Sequence, residues 1–256
     1  EYPNRSAKEE LVVYTPENGD MHYTADDIIS FFGDKSVKTL LLINPDNPSG
    51  NYIPYGELMR LIAWTKEQDI TFVVDESFVD FVDVEGEFSL LKNEILSDNP
   101  HLCIVKSISK SYGVPGFRLG VLASGNKEII AHLKKEVAIW NINSFGEFYM
   151  QIYEKYHKDY LKACELFREE RKLFYDELQE ISYLHVVPSQ ANYFLCEIRG
   201  GRYSARELAV RLLADYDILI KDCSSKAAFN GRNYIRLAVR DRKDNHKLVE
   251  ALKTYM

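Results

Sequence analysis

Lys110 is the residue with the clearest capacity for covalent chemistry. It follows an apolar run, within Ser107-Ile108-Ser109-Lys110-Ser111-Tyr112-Gly113-Val114-Pro115-Gly116-Phe117-Arg118-Leu119-Gly120. Crowded by hydroxyls and glycines, the lysine is expected to be poorly solvated. Burial disfavours an ammonium ion, lowers its pKa and makes the amine a nucleophile able to form a Schiff base with a carbonyl. Ser107, Ser109 and Arg118 supply hydroxyl and guanidinium donors suited to a phosphate, which arginine can grip with two parallel bonds. A basic surface loop has the same composition, so this segment alone leaves both readings open. Two other segments bear on the choice. Val73-Val74-Asp75-Glu76-Ser77-Phe78 puts the Asp75 carboxylate at the end of an apolar run, where it either caps a helix or serves a ligand cation. Asn44-Pro45-Asp46-Asn47-Pro48-Ser49-Gly50 forces a tight non-helical turn through two Asn-Pro steps and a glycine.

The elements needed to position these segments are legible as alternating patterns. Residues 11–14, 39–43, 71–74, 102–106 and 119–123 read as strands buried on both faces. Helical patterns over 25–32, 55–68 and 89–96 separate them. This predicts an α/β layer with a mostly parallel sheet, whose ligands sit beyond the C-terminal ends of the strands. All three segments fall at such ends. A helix is expected over 127–137. Helical spacing then runs through 145–181, where the charge run Arg168, Glu169, Glu170, Arg171, Lys172 is expected to face solvent. After Pro188 come a strand (193–198), a helix (205–215), two strands (218–221, 234–239) and a helix (245–254), an α+β end piece. The boundary between the two parts is expected near Tyr160.

With 46% hydrophobic and 12% aromatic residues among 256, the chain can bury a sizeable core. A net charge of −7 argues against nucleic-acid or anionic-membrane partners, while leaving room for a local anion pocket. Cys103, Cys164, Cys196 and Cys223 form no CxxC pair, which favours reduced thiols in a cytoplasmic protein. The six histidines lack metal-ligand spacing, and no metal is expected. No apolar run is long enough to span a bilayer, and no signal peptide is expected. The chain opens on Glu1-Tyr2-Pro3-Asn4, so a piece of a longer protein is expected.

Taken together, Asn-Pro-x-Asn-Pro-Ser-Gly, Asp-Glu-x-aromatic and Ser-x-Ser-Lys followed by Gly-x-Arg-x-Gly, in this order and spacing, resemble fold-type I pyridoxal-phosphate (PLP) enzymes. Within that family the sequence is most similar to histidinol-phosphate aminotransferases and threonine-phosphate decarboxylases. Residues 75–81 (DESFVDF), 114–120 (VPGFRLG), Lys221-Asp222-Cys223-Ser224 and 234–240 (YIRLAVR) carry that likeness. It covers essentially the whole chain. The resemblance implies the α/β aspartate-aminotransferase fold, with residues 1–159 in a large PLP-binding domain and 160–256 in a small C-terminal domain. It implies that Lys110 forms the Schiff base and shuttles a proton, that Asp75 pairs with the pyridine nitrogen, and that Asn47 bonds the phenolic oxygen. Ser107, Ser109 and Arg118 would hold the cofactor phosphate. Arg236 would grip the substrate's carboxylate or phosphate, with Lys221 near a second anion position. The activity implied is transamination of a small amino acid or phosphorylated amine by a homodimer. The alternatives are decarboxylation of a phosphorylated hydroxy-amino acid and a fold kept for binding alone. Phe78 replaces a family tyrosine and removes one donor to the phenolic oxygen. The family also carries N-terminal elements that have no counterpart here, including a strand expected between 11–14 and 39–43.

Overall fold

The computed structural model describes residues 11–256 except 18, 201, 227, 228 and 230. Thr24 and Asp27 form a reciprocal capping box that starts α1 (Ala25–Phe32), whose Ala25, Ile28 and Phe32 turn inward. Then follow β1 (Thr39–Ile43), α2 (Tyr55–Glu67), β2 (Thr71–Asp75), α3 (Asn93–Asp98), β3 (Leu102–Ser107) and β4 (Gly120–Ser124). The sheet order is β1-β2-β3-β4, with the first three strands parallel and β4 antiparallel to β3. Leu40, Leu42, Phe72, Val74, Leu102 and Ile104 pack against α1, Leu58, Leu61 and Ile62 of α2, and Leu90. At about 1.5–3 kcal/mol per fully buried large apolar side chain, this layer is a principal source of stability.

Past α4 (Lys127–Glu136), α5 (Ser144–Ile152) and α6 (His157–Gln179), the chain builds a second sheet. It comprises β5 (Leu184–Val186), β6 (Tyr193–Ile198), β7 (Lys221–Asp222) and β8 (Tyr234–Ala238), in the order β5-β6-β8-β7 and antiparallel throughout. With α6, α7 (Ala205–Tyr216) and α8 (Arg242–Lys253) it encloses a core that includes Phe174, Leu178, Phe194, Leu208, Ile235 and Val249. Residue 160 lies in the first turn of α6. No helix among the described residues is long and apolar enough to cross a membrane.

Several expectations are corrected. Residues 11–14 form no strand. Leu11, Val12 and Val13 are exposed, and Tyr14 packs its ring against Tyr23 and Phe31 instead of pairing with another strand. β1 and β4, expected to be buried on both faces, are the edges of their sheet among the described residues, and Leu41, Val121 and Leu122 are exposed. The helix expected from residue 89 starts at Asn93, because Glu76 accepts bonds from Ser89 Oγ and Leu90 N (both 2.6 Å) and holds the chain extended there. The 145–181 segment breaks at a 3-10 turn, Tyr153–Tyr156. α8 begins at Arg242, three residues before its expected start, because Asp241 caps it. β5 went unseen in the sequence.

The charge run on α6 is not wholly solvated either. Arg171 is 5% exposed. Its guanidinium donates to Phe81 O (2.8 Å), Ala191 O (3.1 Å) and Gln190 Oε1 (3.1 Å), which offsets its loss of water.

Candidate active site

The parallel strands end level: Ile43 pairs in register with Asp75, and Asp75 with Val105. The three sequence segments therefore leave one edge of one sheet side by side. Beyond β1, Asn44 is buried and fixes the turn through Nδ2 to Ile53 O (3.0 Å) and Oδ1 from Ile53 N (2.8 Å). Asp46 Oδ2 accepts from Ser49 N (3.0 Å) and Ser49 Oγ. Burial pushes the Asp46 carboxyl up, against the pull of those bonds. Gly50 closes the turn at φ +77°, where a Cβ would meet Ser189 Oγ at 2.0 Å. Only glycine suits that backbone and that approach.

Asn47, carried by this turn, accepts from Arg236 Nη1 at 2.8 Å. Arg236 comes from β8 of the second sheet, so the predicted cofactor amide and the predicted substrate cation touch directly. The guanidinium lies 4.8 Å from the Tyr193 ring centroid, within range of a cation–π contact. Tyr193 donates its hydroxyl to Asp46 O (2.7 Å) and meets Phe78 edge-on at 5.3 Å. Burial, with Asp46 nearby, drives the Tyr193 phenol far above its usual range and keeps it a donor. Phe78 is thus a packing residue, buried with Phe81 and Tyr193. Lys221 stands directly opposite Arg236 in the β7–β8 register, and directly opposed residues project to the same face. Lys221 is exposed.

At the end of β2, Asp75 Oδ1 accepts from Ser77 N (2.9 Å) and Ser77 Oγ. Ser77 Oγ in turn accepts from Ser107 N (2.9 Å), which links the acid to the start of the lysine loop. The next residue, Glu76, is buried on its way to Ser89 and Leu90, and burial raises its carboxyl pKa against those two bonds.

The loop after β3 departs from expectation at its centre. Ser109 is buried, with its N–H directed at Ser107 Oγ (3.3 Å), but Lys110 is exposed. The buried lysine of the segment is Lys106, four residues earlier. It points into the protein and pairs with Asp80 at 2.7 Å. The physical reason is placement: Lys106 lies within a strand under packed side chains, whereas Lys110 rides a turn past the sheet edge. Arg118 is exposed and left-handed at φ 57°, and its Nη1 donates to Pro115 O (3.1 Å) of its own loop. Beside Lys110, Tyr112 stacks on Tyr160 of α6 (4.2 Å, 5°).

The structure thus joins Asn47 to Arg236, Asp75 to Ser107 through Ser77, and Lys221 to Arg236 by register. Sequence reasoning missed Tyr193, Ser77 and Lys106. A lysine two positions after Ile104 on one strand face was the available signal for Lys106.

The chain matches the aminotransferase class I and II family over residues 5–252. It is 32% identical over 256 residues to a CMP-5'-(3-aminopropyl)phosphonate synthase of Streptomyces rubellomurinus, covering 98% of this chain and 39% of that protein. It is also 32% identical over 253 residues to an L-serine phosphate decarboxylase of Sulfurospirillum multivorans, covering 96% of this chain and 63% of that protein. Among solved structures, the histidinol-phosphate aminotransferase of Clostridium acetobutylicum superposes with a TM-score of 0.81 at 30% identity, covering 95% of this chain and 70% of that one. The chain therefore spans less than two thirds of the length of these two curated relatives. Sequence and fold agree that the chain belongs to the class I and II aminotransferase family of pyridoxal-phosphate-dependent enzymes.

Proposed function

We propose that the protein acts with PLP on a small amino acid bearing a phosphate ester, and that the bond it breaks is the one to the carboxylate. The observation that carries this reading is the register of Lys221 opposite Arg236, which puts two cations on one face. A phosphate monoester carries about −1.5 to −2 charges near neutral pH and matches two cations, whereas a carboxylate matches one. With the phosphate held by Arg236 and Lys221, neither cation is left to hold the substrate's carboxylate, which would then be free to leave as carbon dioxide. Transamination is the commoner activity of the fold, but residues 75–81 (DESFVDF) and 114–120 (VPGFRLG) lean towards a decarboxylase, and the opposed lysine tips the choice. The relationship to a serine-phosphate decarboxylase supports the same reading.

The residues present fit the cofactor by the chemistry of their donors. Asp75 can keep a proton on a pyridine nitrogen, Asn47 can donate its amide to a phenolic oxygen, and Ser107, Ser109 and Arg118 can take a phosphate. Lys110 offers the amine for the aldehyde. When bound, the cofactor supplies an electron sink for the charge left by bond cleavage. Ser77 then holds Asp75 in orientation. Asn47 is steadied by Arg236, and Lys110 Nζ returns the proton to the substrate carbon. Phe78 contributes packing against Tyr193 in place of a donor. Residues 1–159 are taken as part of the cofactor-binding domain and 160–256 as the small domain, in a cytoplasmic homodimer.

Incubating the PLP-loaded protein with phosphoserine, phosphothreonine and histidinol phosphate tests the reading. Carbon dioxide and the matching amine phosphate are expected from one of the first two. A keto product without carbon dioxide would instead establish transamination. Arg236→Ala is expected to abolish whichever reaction is found.

A further inference from the structure

A cleft of about 410 Å³ lies between α6, residues 50–52 and residues 188–190. None of its lining side chains is among the candidate cofactor or substrate residues. Arg168, Arg171 and Lys172 line one wall, spaced so that all three share a helix face. Asp83 is the one carboxylate among the described lining residues. In a chain of net charge −7, this is a local excess of positive charge.

Arg171 is the most informative of the three. It is almost wholly buried, yet all three of its recorded partners are neutral oxygens. Among the described residues no carboxylate lies within 4.0 Å of it. Asp83 is 65% exposed at its side chain and stands 3.8 Å from Arg168. Burial pulls the Arg171 guanidinium down to about 10; Asp83 opposes the fall and the Arg168 charge adds to it. Two guanidinium groups that repel each other along one wall of the cleft, with one exposed counter-ion, leave room for an anion to offset the repulsion.

We propose that this cleft binds a small phosphate monoester, whose phosphate is held by Arg168 and Lys172 with Arg171 behind them. A dianion matches the charge that remains after Asp83, and charge-assisted bonds from arginine are the strong ones for phosphate. The volume exceeds that of inorganic phosphate and falls in the range of about 300–1,000 Å³ typical of small-molecule sites. Tyr175 and Phe194 offer aromatic surface for an organic body. The site is also mechanically tied to the Asn47 turn, because Gln190 N donates to Gly50 O at 2.9 Å. The inference does not depend on which reaction the family site performs.

Phenyl phosphate titrated into the ¹⁵N-labelled protein provides the test, read at the backbone amides of Asn51 and Gln190 by NMR. A saturable shift is expected. Its Kd should rise at least tenfold in Arg168→Ala/Lys172→Ala and stay unchanged in Arg118→Ala, which reports on the cofactor loop. If the pair variant fails to fold, the exposed single change Lys172→Glu should raise the Kd in the same way. Shifts reproduced by sodium chloride at matched ionic strength would overturn the proposal. So would shifts that survive the cleft variants, or that vanish in Arg118→Ala.

Discussion

Replacing Lys106 by methionine removes the charge that neutralises the nearly buried Asp80. The pair is close (2.7 Å), and the two side chains are only 11% and 13% exposed. At that separation and an effective dielectric of about 20, the attraction is about 6 kcal/mol before desolvation is counted. Removing both charges ions from water offsets most of this, so a well-packed apolar pair would be nearly as stable as the ion pair. Removing one partner is different, because it leaves a buried carboxylate uncompensated, at a cost of about 3–5 kcal/mol. Asp80 Oδ2 has no hydrogen-bond partner among the described residues that could soften the loss. For a chain of this size, about 2–4 °C of Tm accompanies each kcal/mol, so Lys106→Met should melt roughly 10 °C lower. Lys106→Met/Asp80→Leu should recover to within about 1 kcal/mol of the parent. Thermal and urea unfolding by circular dichroism measure both variants. A double variant as unstable as the single one would refute the reasoning, as would a single variant indistinguishable from the parent.

Other expectations concern the site and its pH dependence. Asp75→Asn should lower turnover on the order of a thousandfold through loss of several kcal/mol of charge stabilisation, with the circular dichroism spectrum preserved; unchanged turnover would remove Asp75 from its role. Borohydride reduction of the PLP-loaded protein followed by peptide mapping should place the adduct on Lys110, and a pyridoxyl group on Lys106 or elsewhere would end that assignment. The folded-state pKa of Glu76 is raised, chiefly by burial, so its stabilising contribution is present below about pH 4.3, the unfolded value, and is lost as pH rises through the folded value. Glu76→Gln should therefore flatten the fall in urea midpoint above that pH relative to the parent. A parallel pair of curves would show that Glu76 is not its source.

What the sequence revealed, and what it concealed, follows from how far each property reaches along the chain. α1 and β6 fall where periodicity places them because each has its own cause: a capping box at Thr24 for one, and an apolar run broken only by Glu197 for the other. Residues 11–14 have a strand's composition, but a strand requires a neighbour, and composition does not supply one. Burial is less local still. Lys106 and Lys110 differ by four positions, and their fates are decided by whether other elements cover the strand or the turn that holds them. Arg171 sits in a run of charges that reads as solvated, until Phe81 and Ala191 bring two carbonyls to it from elsewhere in the chain. The bond between Asn47 and Arg236 spans 189 positions and is visible in the sequence only as two separate motifs. Residues that perform chemistry must keep a particular functional group, so their type and spacing persist as motifs. Residues that hold them, such as Ser77 and Tyr193, need only a hydrogen bond or a ring in the right place, and no local pattern marks them. This asymmetry makes Tyr193 the position where the two sheets are coupled: its hydroxyl fixes the turn that carries Asn47, while its ring supports the guanidinium that Asn47 receives.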